Sequence, residues 1–324
     1  MKAMVCRRYG SPDNLHLEEV KKPVPGDNQL LVKVKASSVN ALDWHFLRGK
    51  PILVRLQYGL LRPKVKVLGY DMAGIVEDIG KDVTQFKPGD EVFGGLGFGL
   101  GGFAEYACIN EKGFVARKPG NISFEQAAAV PAAAVTALIG IQDRGMARSG
   151  QSVLINGSTG GVGTFAVQIA KALGMEVTGV CSTRKKDMVR SLGADYVIDY
   201  TRDDFSKIGR YYDLLLDNVG NRNVTDMLHV IRPGGTCVIV GFTGIGNMLR
   251  QSIFGPLRSK AQGIRWDKPA SGEPSLDHAN YLKELLETGM VVPLIEKQYS
   301  LENLPDALRH IETGHAKAKI VIKI

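Results

Sequence analysis

A glycine-rich segment at 157–163 has the residue types and the spacing of a phosphate-binding turn. It reads Gly157-Ser158-Thr159-Gly160-Gly161-Val162-Gly163 and lies between an apolar strand predicted over 153–155 and an amphipathic helix predicted over 162–173. Glycines permit a tight turn and let the backbone approach a pyrophosphate, whose negative charge is favoured at a helix N-terminus. Strand, turn and helix in this order therefore predict a nucleotide-binding site.

The end of the next predicted strand, 177–180, indicates which nucleotide is bound. NAD-specific proteins usually place an acid there, roughly 20 residues after the glycines, to bind the ribose hydroxyls. This chain instead reads Cys181-Ser182-Thr183-Arg184-Lys185-Lys186, with no acid before Asp187. Hydroxyls and cations suit a 2′-phosphate, so the sequence predicts NADPH rather than NADH. The alternative is a solvated helix start, although cations oppose the helix dipole at that end.

The elements that would position this site fall into two regions. Strands are predicted over 30–36 and 74–80, among dense Pro-Gly turns, which indicates a compact β unit. From Ser123, a capping residue with Gln126 three positions later, longer helices alternate with apolar strands over 194–198, 214–216 and 237–240. That alternation predicts an α/β fold with a doubly wound parallel sheet. The segment 317–324 is predicted to be a strand that returns to the first region.

Composition excludes several classes of protein. The chain has 324 residues, 44% hydrophobic and 23% charged, which is typical of a soluble globular protein of about two domains. Its longest apolar stretch, 127–141, is interrupted by Pro131 and Thr136 and is too short for a membrane span. The N-terminus lacks the layout of a secretory signal, so a cytoplasmic location is expected. The four cysteines have no close pair and are expected to be reduced and buried: Cys6, Cys108, Cys181 and Cys237.

A net charge of +8 favours anionic ligands or surfaces. No arginine-rich arm or aromatic RNA-binding motif occurs, so nucleic acid is not an expected partner. The neighbouring alternations Lys33/Lys35 and Lys64/Lys66 have two interpretations. They are either solvated strand faces or a patch that associates weakly with a membrane surface.

Taken in order along the whole chain, seven segments resemble the medium-chain dehydrogenase/reductase superfamily, in its zinc-free quinone oxidoreductase branch. The segments are 39–44, 68–74, 86–92, 101–106, 157–163, 192–195 and 217–220. The resemblance implies a GroES-like β domain over 1–122 and 270–324, a Rossmann domain over 123–269, and NADPH in the cleft. It also implies a homodimer joined at the edge of the Rossmann sheets.

The resemblance assigns cofactor contacts residue by residue. Asn40 would lie near the nicotinamide, and Ser182 and Lys186, helped by Arg184 and Tyr200, would hold the 2′-phosphate. The other implied cofactor-binding residues are Thr136, Ser158, Gly160, Gly161, Val162, Asn218, Gly241, Phe242 and Lys319. Thr136 and Asn218 could equally be capping or turn residues, and Tyr200 a plain aromatic at a strand end.

The positions that hold zinc in related alcohol dehydrogenases carry other residue types. Asn40 stands at the ligand position near Val39, and the Gly-His-Glu position reads Gly69-Tyr70-Asp71. The six histidines have no partner at ligand spacing: His16, His45, His229, His278, His310 and His315. Zinc ligation needs several Cys or His side chains with an open position, so no zinc site is expected.

Without a metal, reduction of an activated acceptor is the chemistry that the sequence favours. Hydride would pass to a quinone or to the β-carbon of an α,β-unsaturated carbonyl, and the oxygen that gains charge needs a donor. Candidate catalytic donors are Asn40, Tyr58 and Tyr70, besides a ribose hydroxyl and water. Related enoyl reductases often place a tyrosine soon after the Asn-x-x-Asp turn, and its absence at 48–51 favours quinones.

Two alternatives stay open. The glycine-rich segment 93–103 is either a mobile apolar cover for a flat acceptor or a plain surface loop. The rival to an enzyme is a protein that binds NADPH without turnover, as a redox sensor, a structural protein or a membrane-associated partner.

Overall fold

The computed structural model describes residues 1–267, 274–314 and 316–324, with the backbone alone at 53 and 57. The chain divides into two compact units. The first unit comprises Met1–Val135, Pro274–Gly289 and Pro293–Ile324, and the second comprises Thr136–Glu273 and Met290–Val292. The predicted domain limit at 122/123 stays a prediction, and the predicted limit at 269/270 lies outside the described residues.

The first unit is built mainly on antiparallel strands. Its strands are β1 (Lys2–Cys6), β2 (Leu15–Glu19), β3 (Gln29–Val39), β4 (Asp71–Ile79), β5 (Glu91–Gly95), β6 (Tyr106–Asn110), β7 (Val115–Arg117), β14 (Ile295–Ser300) and β15 (Lys319–Lys323). Its helices are α1 (Ala41–Arg48), α2 (Ile52–Tyr58), α3 (Phe124–Ala128), α9 (Leu276–Glu287) and α10 (Leu304–Glu312), and α4 (Pro131–Leu138) runs on into the second unit. The main sheet has the order β14-β15-β3-β4-β5-β7, with β6 also paired to β3, and β14 and β15 pair in parallel.

The return of the C-terminus to this sheet is confirmed. β15 pairs antiparallel with β3, with Ile320 opposite Val39 and Ile322 opposite Ser37. Ile320 and Ile322 are buried, because alternate residues of a strand face the same core. The pairing brings residue 319 next to the end of β3, where the first candidate site begins.

The second unit is a parallel sheet of six strands, as the alternation of strands and helices predicts. The strands are β8 (Ser152–Asn156), β9 (Glu176–Cys181), β10 (Tyr196–Asp199), β11 (Tyr212–Asp217), β12 (Ile231–Ile239) and β13 (Arg265–Asp267), in the order β10-β9-β8-β11-β12-β13. The helices are α5 (Gly161–Ala172), α6 (Lys186–Ser191), α7 (Val224–His229) and α8 (Ile245–Ala261). β8 is buried along its whole length, which explains its continuous apolar sequence.

Other predictions of local structure are also confirmed. Ser123 caps α3 in a capping box with Gln126. No disulfide is formed, and Cys6, Cys181 and Cys237 are buried while Cys108 is half-buried. Burial raises the pKa of the Cys6 thiol to about 11, so this sulfur is protonated at neutral pH. Within the described ranges, no helix is long and apolar enough to cross a membrane.

Candidate active site and cofactor site

The glycine-rich turn connects β8 to α5 in the second unit. Gly157 has a φ of +79°, and a Cβ on Gly163 would lie 2.0 Å from the Gly157 carbonyl oxygen, so neither position suits a side chain. A Cβ on Gly160 would meet nothing nearer than 4.0 Å, so the turn is open on that side. Gly160 caps α5 without a side-chain hydrogen bond, and the first N–H groups of a helix have no partner within it. These donors suit an anion.

Ser158 has a different position in the same turn. It is fully buried, and its hydroxyl donates to the Val180 carbonyl oxygen at 2.9 Å. The Ser158 side chain therefore ties the turn to β9, and only the backbone of this residue is left to contact a cofactor. Gly161 and Val162, which open α5, are half-buried.

The segment after β9 contains the predicted phosphate-binding residues. Ser182 and Lys186 are half-buried and Arg184 is exposed. Asp199, at the end of β10, is buried and accepts a hydrogen bond from the Thr183 hydroxyl at 2.6 Å. That hydrogen bond holds the pKa of Asp199 below its usual value, and Lys186 lowers it further. The ionised carboxylate therefore anchors the segment that carries the cations.

Asn218, just beyond β11, is the polar residue of the second unit that most clearly lacks a partner. Its Nδ2 and Oδ1 atoms are both buried and form no hydrogen bond with a described residue. Asp217 shapes the turn, because it accepts from the Val219 and Gly220 N–H groups at 3.0 Å each. Burial raises the pKa of Asp217. A buried amide without partners is costly, so this turn suits a ligand that supplies both a donor and an acceptor.

The predicted cofactor residues of the second unit share one edge of the sheet. The glycine-rich turn, the 182–186 segment, Asn218 and the Gly241-Phe242 turn follow the carboxyl ends of β8, β9, β11 and β12. The order of the strands reverses between β8 and β11, which is where parallel sheets bind their ligands. A Cβ on Gly241 would lie 2.2 Å from the Asn218 carbonyl oxygen, so glycine is needed there.

The other three predicted cofactor-binding residues of the second unit give less information about the site. Phe242 packs against the apolar cluster beside β11 and β12. Tyr200 is 58% exposed, so it is open to solvent in this structure. Thr136 lies in α4 and is half-buried.

In the first unit, Asn40, Asp71 and Lys319 form one hydrogen-bonded cluster. The Lys319 ammonium donates to Asn40 Oδ1 at 2.5 Å and to Asp71 Oδ2 at 3.1 Å. The Asn40 amide in turn donates to Asp71 Oδ2 at 2.8 Å. Asp71 also accepts from the Ser38 hydroxyl and from the Ala132 N–H. Lys319 and Asp71 are both buried, so each charge depends on the other.

This cluster bears on the predicted roles of Asn40 and Lys319. The Asn40 amide already donates to a carboxylate, so it is a poor candidate for the donor to a substrate oxygen. The Lys319 ammonium donates to Asn40 and Asp71, so in this structure it positions Asn40, and its predicted contact with the cofactor stays a prediction.

Two further residues adjoin the cluster: Asp43 contacts Asn40, and Tyr70 precedes Asp71 in the chain. Asp43 is fully buried and accepts from the Asn40 and Gly69 N–H groups at 2.8 and 3.1 Å. Burial, together with the charge of Asp71, raises the pKa of Asp43 to about 7. Burial also raises the pKa of the Tyr70 hydroxyl, whose ring packs against Gly95. The Tyr70 hydroxyl is therefore protonated at neutral pH.

Tyr58, at the end of α2, has a buried hydroxyl with no hydrogen-bond partner among the described residues. Its ring meets the Phe46 ring edge-on, with centroids 4.3 Å apart, and lies 6.4 Å from the Phe98 ring. Burial raises the pKa of this hydroxyl, so it keeps its proton at neutral pH. The Tyr58 hydroxyl therefore keeps a proton that is not committed to a described residue.

The glycine-rich segment 93–103 contributes mainly to the core. Phe93 and Phe103 are fully buried, and Leu100 is 7% exposed. Phe98 alone among its large apolar residues is strongly exposed, at 65%. Of the two interpretations of this segment, burial of Phe93, Leu100 and Phe103 disfavours a cover made of several apolar side chains, because packing of the first unit takes them inward.

Comparison with known proteins identifies the family. A protein-family model described as "Alcohol dehydrogenase GroES-like domain" matches residues 26–120, and a second model, described as "Zinc-binding dehydrogenase", matches residues 192–322. The chain is 35% identical over 334 residues to 2-methylene-furan-3-one reductase of Solanum lycopersicum, covering 99% of this chain and 79% of that protein. It is 33% identical to quinone-oxidoreductase QR1 of Triphysaria versicolor, covering 100% and 98%. The solved quinone oxidoreductase from Coxiella burnetii superposes with a TM-score of 0.87 at 30% identity, covering 100% and 99%.

The chain belongs to the medium-chain dehydrogenase/reductase superfamily. This membership confirms the expected fold, a GroES-like β domain and a Rossmann domain, which correspond to the first and second units. It also confirms the resemblance drawn from the seven sequence segments.

The residues of this medium-chain reductase fit a nicotinamide cofactor. The open side of Gly160 and the uncapped start of α5 suit a pyrophosphate. The Asn218 amide, which has no partner among the described residues, suits a polar ring substituent, and Ser182 with Lys186 suits a 2′-phosphate. Each of these groups follows the carboxyl end of a parallel strand.

The residues do not fit a zinc ion, although one matched family description names zinc. Asn40 Oδ1 and Asp71 Oδ2 already accept from the Lys319 ammonium, and Asp71 Oδ1 accepts from the Ala132 N–H. A second cation beside that ammonium would be repelled, and zinc prefers Cys and His ligands. In the part of the chain that the structure covers, no group of three His, Cys, Asp or Glu could hold a metal. His315 lies outside the described residues.

Sequence reasoning missed the acids that support both sites. None of these acids was predicted to contact the cofactor or the acceptor. They hold the turns that carry the predicted residues: Asp43 that of Asn40, Asp199 that of Lys186 and Asp217 that of Asn218. A signal was present, since each acid lies within the first turn of a helix or at the last residue of a strand, where a carboxylate can accept from turn N–H groups.

Proposed function

We propose that this protein is an NADPH-dependent oxidoreductase that reduces quinones or α,β-unsaturated carbonyls without zinc. The observation that carries the proposal is the open glycine-rich turn at the switch point of the parallel sheet, followed by hydroxyl and cationic residues after β9. Relatives named quinone oxidoreductase and NADPH-dependent alkenal/one oxidoreductase, each at least 30% identical, support the same activity.

The first unit supplies what the acceptor needs. NADPH, when bound, supplies the hydride that the acceptor takes up. The acceptor oxygen then gains negative charge, which a hydrogen-bond donor stabilises. Tyr58 offers a buried hydroxyl whose proton is not committed to another described residue. Lys319 and Asp71 hold the Asn40 side chain in one orientation beside the start of α1.

Loss of the reduced nicotinamide absorbance, measured with quinones, enones and aldehydes in turn, tests the activity. We expect oxidation of NADPH with quinones or enones and little with aldehydes. Gly161→Asp, which places a carboxylate at the start of α5, should abolish turnover because it repels the pyrophosphate. Tight NADPH binding without turnover of any acceptor would overturn the proposal and favour the non-catalytic alternative.

Elemental analysis of the purified protein tests the zinc-free part of the proposal. We expect far less than one zinc per chain and activity that chelators leave unchanged. About one zinc per chain, with activity lost to a chelator and restored by zinc, would contradict the assignment of Asn40, Tyr70 and Asp71 as non-ligands.

We further propose that the protein forms a homodimer through β13, as the family resemblance implies. β13 is one edge of the six-stranded sheet, and edge strands leave backbone donors and acceptors without partners. Pairing two such edges about a two-fold axis would satisfy both.

A further inference from the structure

Helix α8 of the second unit has its apolar residues on the outside. Ile245, Leu249, Ile253 and Leu257 recur every four residues, so they share one face of the helix, and each is more than half exposed. Phe254 beside them is 46% exposed. Single exposed apolar residues are common, but a continuous row of them indicates an interaction surface.

The opposite face of α8 is small and polar, and it is the buried one. Gln251, Gly255 and Ser259, also four residues apart, are buried. Gln251 donates to the Arg222 carbonyl oxygen at 3.0 Å. A Cβ on Gly255 would lie 2.1 Å from the Trp266 ring, so only glycine permits this approach. The helix cannot rotate its apolar row inward without losing these contacts.

Positive charge accompanies the apolar row. Arg250, Arg258 and Lys260 are exposed on α8. Arg250 precedes Phe254 by four residues and Lys260 follows Leu257 by three, so both cations border the row. No aspartate or glutamate occurs anywhere between Asp226 and Asp267. Helix α8 itself is therefore apolar and cationic on this face and carries no acid.

We propose that this face of α8 docks on the surface of an anionic lipid bilayer. Helices that lie in the bilayer interface combine an apolar face with lysine and arginine, which anionic headgroups attract. A second copy of this chain is a poorer occupant, because a two-fold contact through this face would oppose the same cations. An acidic bilayer neutralises those cations and buries the apolar row along a helix of about 25 Å.

Docking would bring the enzyme to lipid-soluble acceptors. Quinones with apolar tails reside in membranes, so a bilayer-bound reductase would meet its acceptor there. This consequence, unlike the docking itself, rests on the proposed function.

Flotation of the full-length protein with vesicles tests the docking. Vesicles of phosphatidylcholine alone are compared with an equal mixture of phosphatidylcholine and phosphatidylglycerol, at low and high salt. We expect binding to the mixed vesicles only, weakened by salt. Arg250→Gln with Lys260→Gln should weaken binding roughly 25-fold, at about fivefold for each cation, and Ile253→Gln with Leu257→Gln at least about tenfold.

Two matched double variants serve as controls. Lys33→Gln with Lys64→Gln removes exposed cations elsewhere, and Val24→Gln with Met290→Gln removes exposed apolar side chains. Both should bind as the unchanged protein does. NADPH oxidation with a water-soluble benzoquinone should be equal in the α8 variants, which shows that they fold.

Several outcomes would overturn the docking proposal. They are no vesicle binding at low salt, equal binding to neutral vesicles, binding that depends on Lys33 and Lys64, and α8 variants that change the molecular mass in solution instead of vesicle binding. None of them requires turnover. Failure of the docking and failure of the proposed activity are therefore distinguishable.

Discussion

At the scale of single residues, Tyr58 can separate the two acceptor classes. Reduction of an enone leaves a carbon to be protonated, whereas a reduced quinone takes its protons on oxygen directly from water. We expect Tyr58→Phe to lower enone turnover about 100-fold, within the range of general acid catalysis, and quinone turnover less than about tenfold. Steady-state kcat and kcat/KM with both acceptors, together with NADPH affinity, measure the difference.

Tyr70→Phe is the matched control, because the Tyr70 hydroxyl is buried in the same unit. Its removal should lower turnover of either acceptor less than about tenfold. A loss of about a thousandfold in Tyr70→Phe, with NADPH binding intact, would identify Tyr70 as the proton donor instead.

Asp43 predicts a dependence of stability on pH. Burial raises its pKa from 3.8 to about 7, so between these values the folded protein binds a proton that the unfolded chain has lost. The free energy of unfolding should therefore fall as pH rises through this range. The side chain introduced by Asp43→Asn cannot ionise. The free energy of unfolding of this variant, measured in urea, should therefore fall less between about pH 5 and about pH 8 than that of the unchanged protein, by about 1 kcal/mol or more. Equal pH slopes for both proteins would contradict this assignment.

The residue types of the first-unit site could be predicted from the sequence, but their contacts could not. Asn40 and Lys319 were each predicted beside the cofactor, and they lie 279 residues apart in the chain. Their hydrogen bond depends on the pairing of β15 with β3, which no local pattern specifies. Likewise, no local pattern indicates that the Tyr58 hydroxyl is buried without a partner among the described residues.

At the scale of elements, we expect the segment after β9 to determine the choice of cofactor. Ser182, Arg184 and Lys186 offer a hydroxyl and two cations, and hydrogen bonds to charged groups contribute about 1.5–3 kcal/mol each. We therefore expect NADPH to bind more tightly than NADH, and Lys186→Ala to narrow the gap by about tenfold or more. Fluorescence titration of both cofactors measures this.

Lys207→Ala is the control for that titration, since Lys207 is an exposed cation outside the 182–186 segment. It should leave both affinities unchanged. Equal affinities of the unchanged protein for NADPH and NADH, or an equal fall in both with Lys186→Ala, would show that this segment does not bind the 2′-phosphate.

Elements whose apolar residues face the core were predictable from the sequence, and elements whose apolar residues face outward were not. β8, β9 and α5 lie within a residue or two of their predicted bounds, because buried parallel strands are continuously apolar. Helix α8 gave no amphipathic signal pointing inward, since Gly255 and Pro256 interrupt it and its buried face is polar. In the 93–103 segment, glycines of β5 pack closely against Tyr70 and Ile109, which no local sequence pattern indicates.

At the scale of the whole molecule, the two surfaces proposed on the second unit suit different partners. The face of α8 is apolar and cationic and suits an anionic bilayer, whereas the edge of β13 offers backbone hydrogen bonds and suits another strand. The net charge of +8 strengthens attraction to the bilayer and opposes association of two copies except where backbone pairing compensates.

The dimer is the prediction that belongs to the complete molecule. Light scattering at micromolar concentration should give twice the mass of one chain, because antiparallel pairing of two β13 strands would join two six-stranded sheets into one. Backbone amides of 265–267 should then exchange hydrogen slowly and become faster on dilution, as edge amides lose their partners. Ile253→Gln with Leu257→Gln should leave the mass unchanged, which separates this interface from the α8 face. A single-chain mass would contradict the dimer, and a dimer whose 265–267 amides exchange as fast as those of exposed loops would place the interface elsewhere.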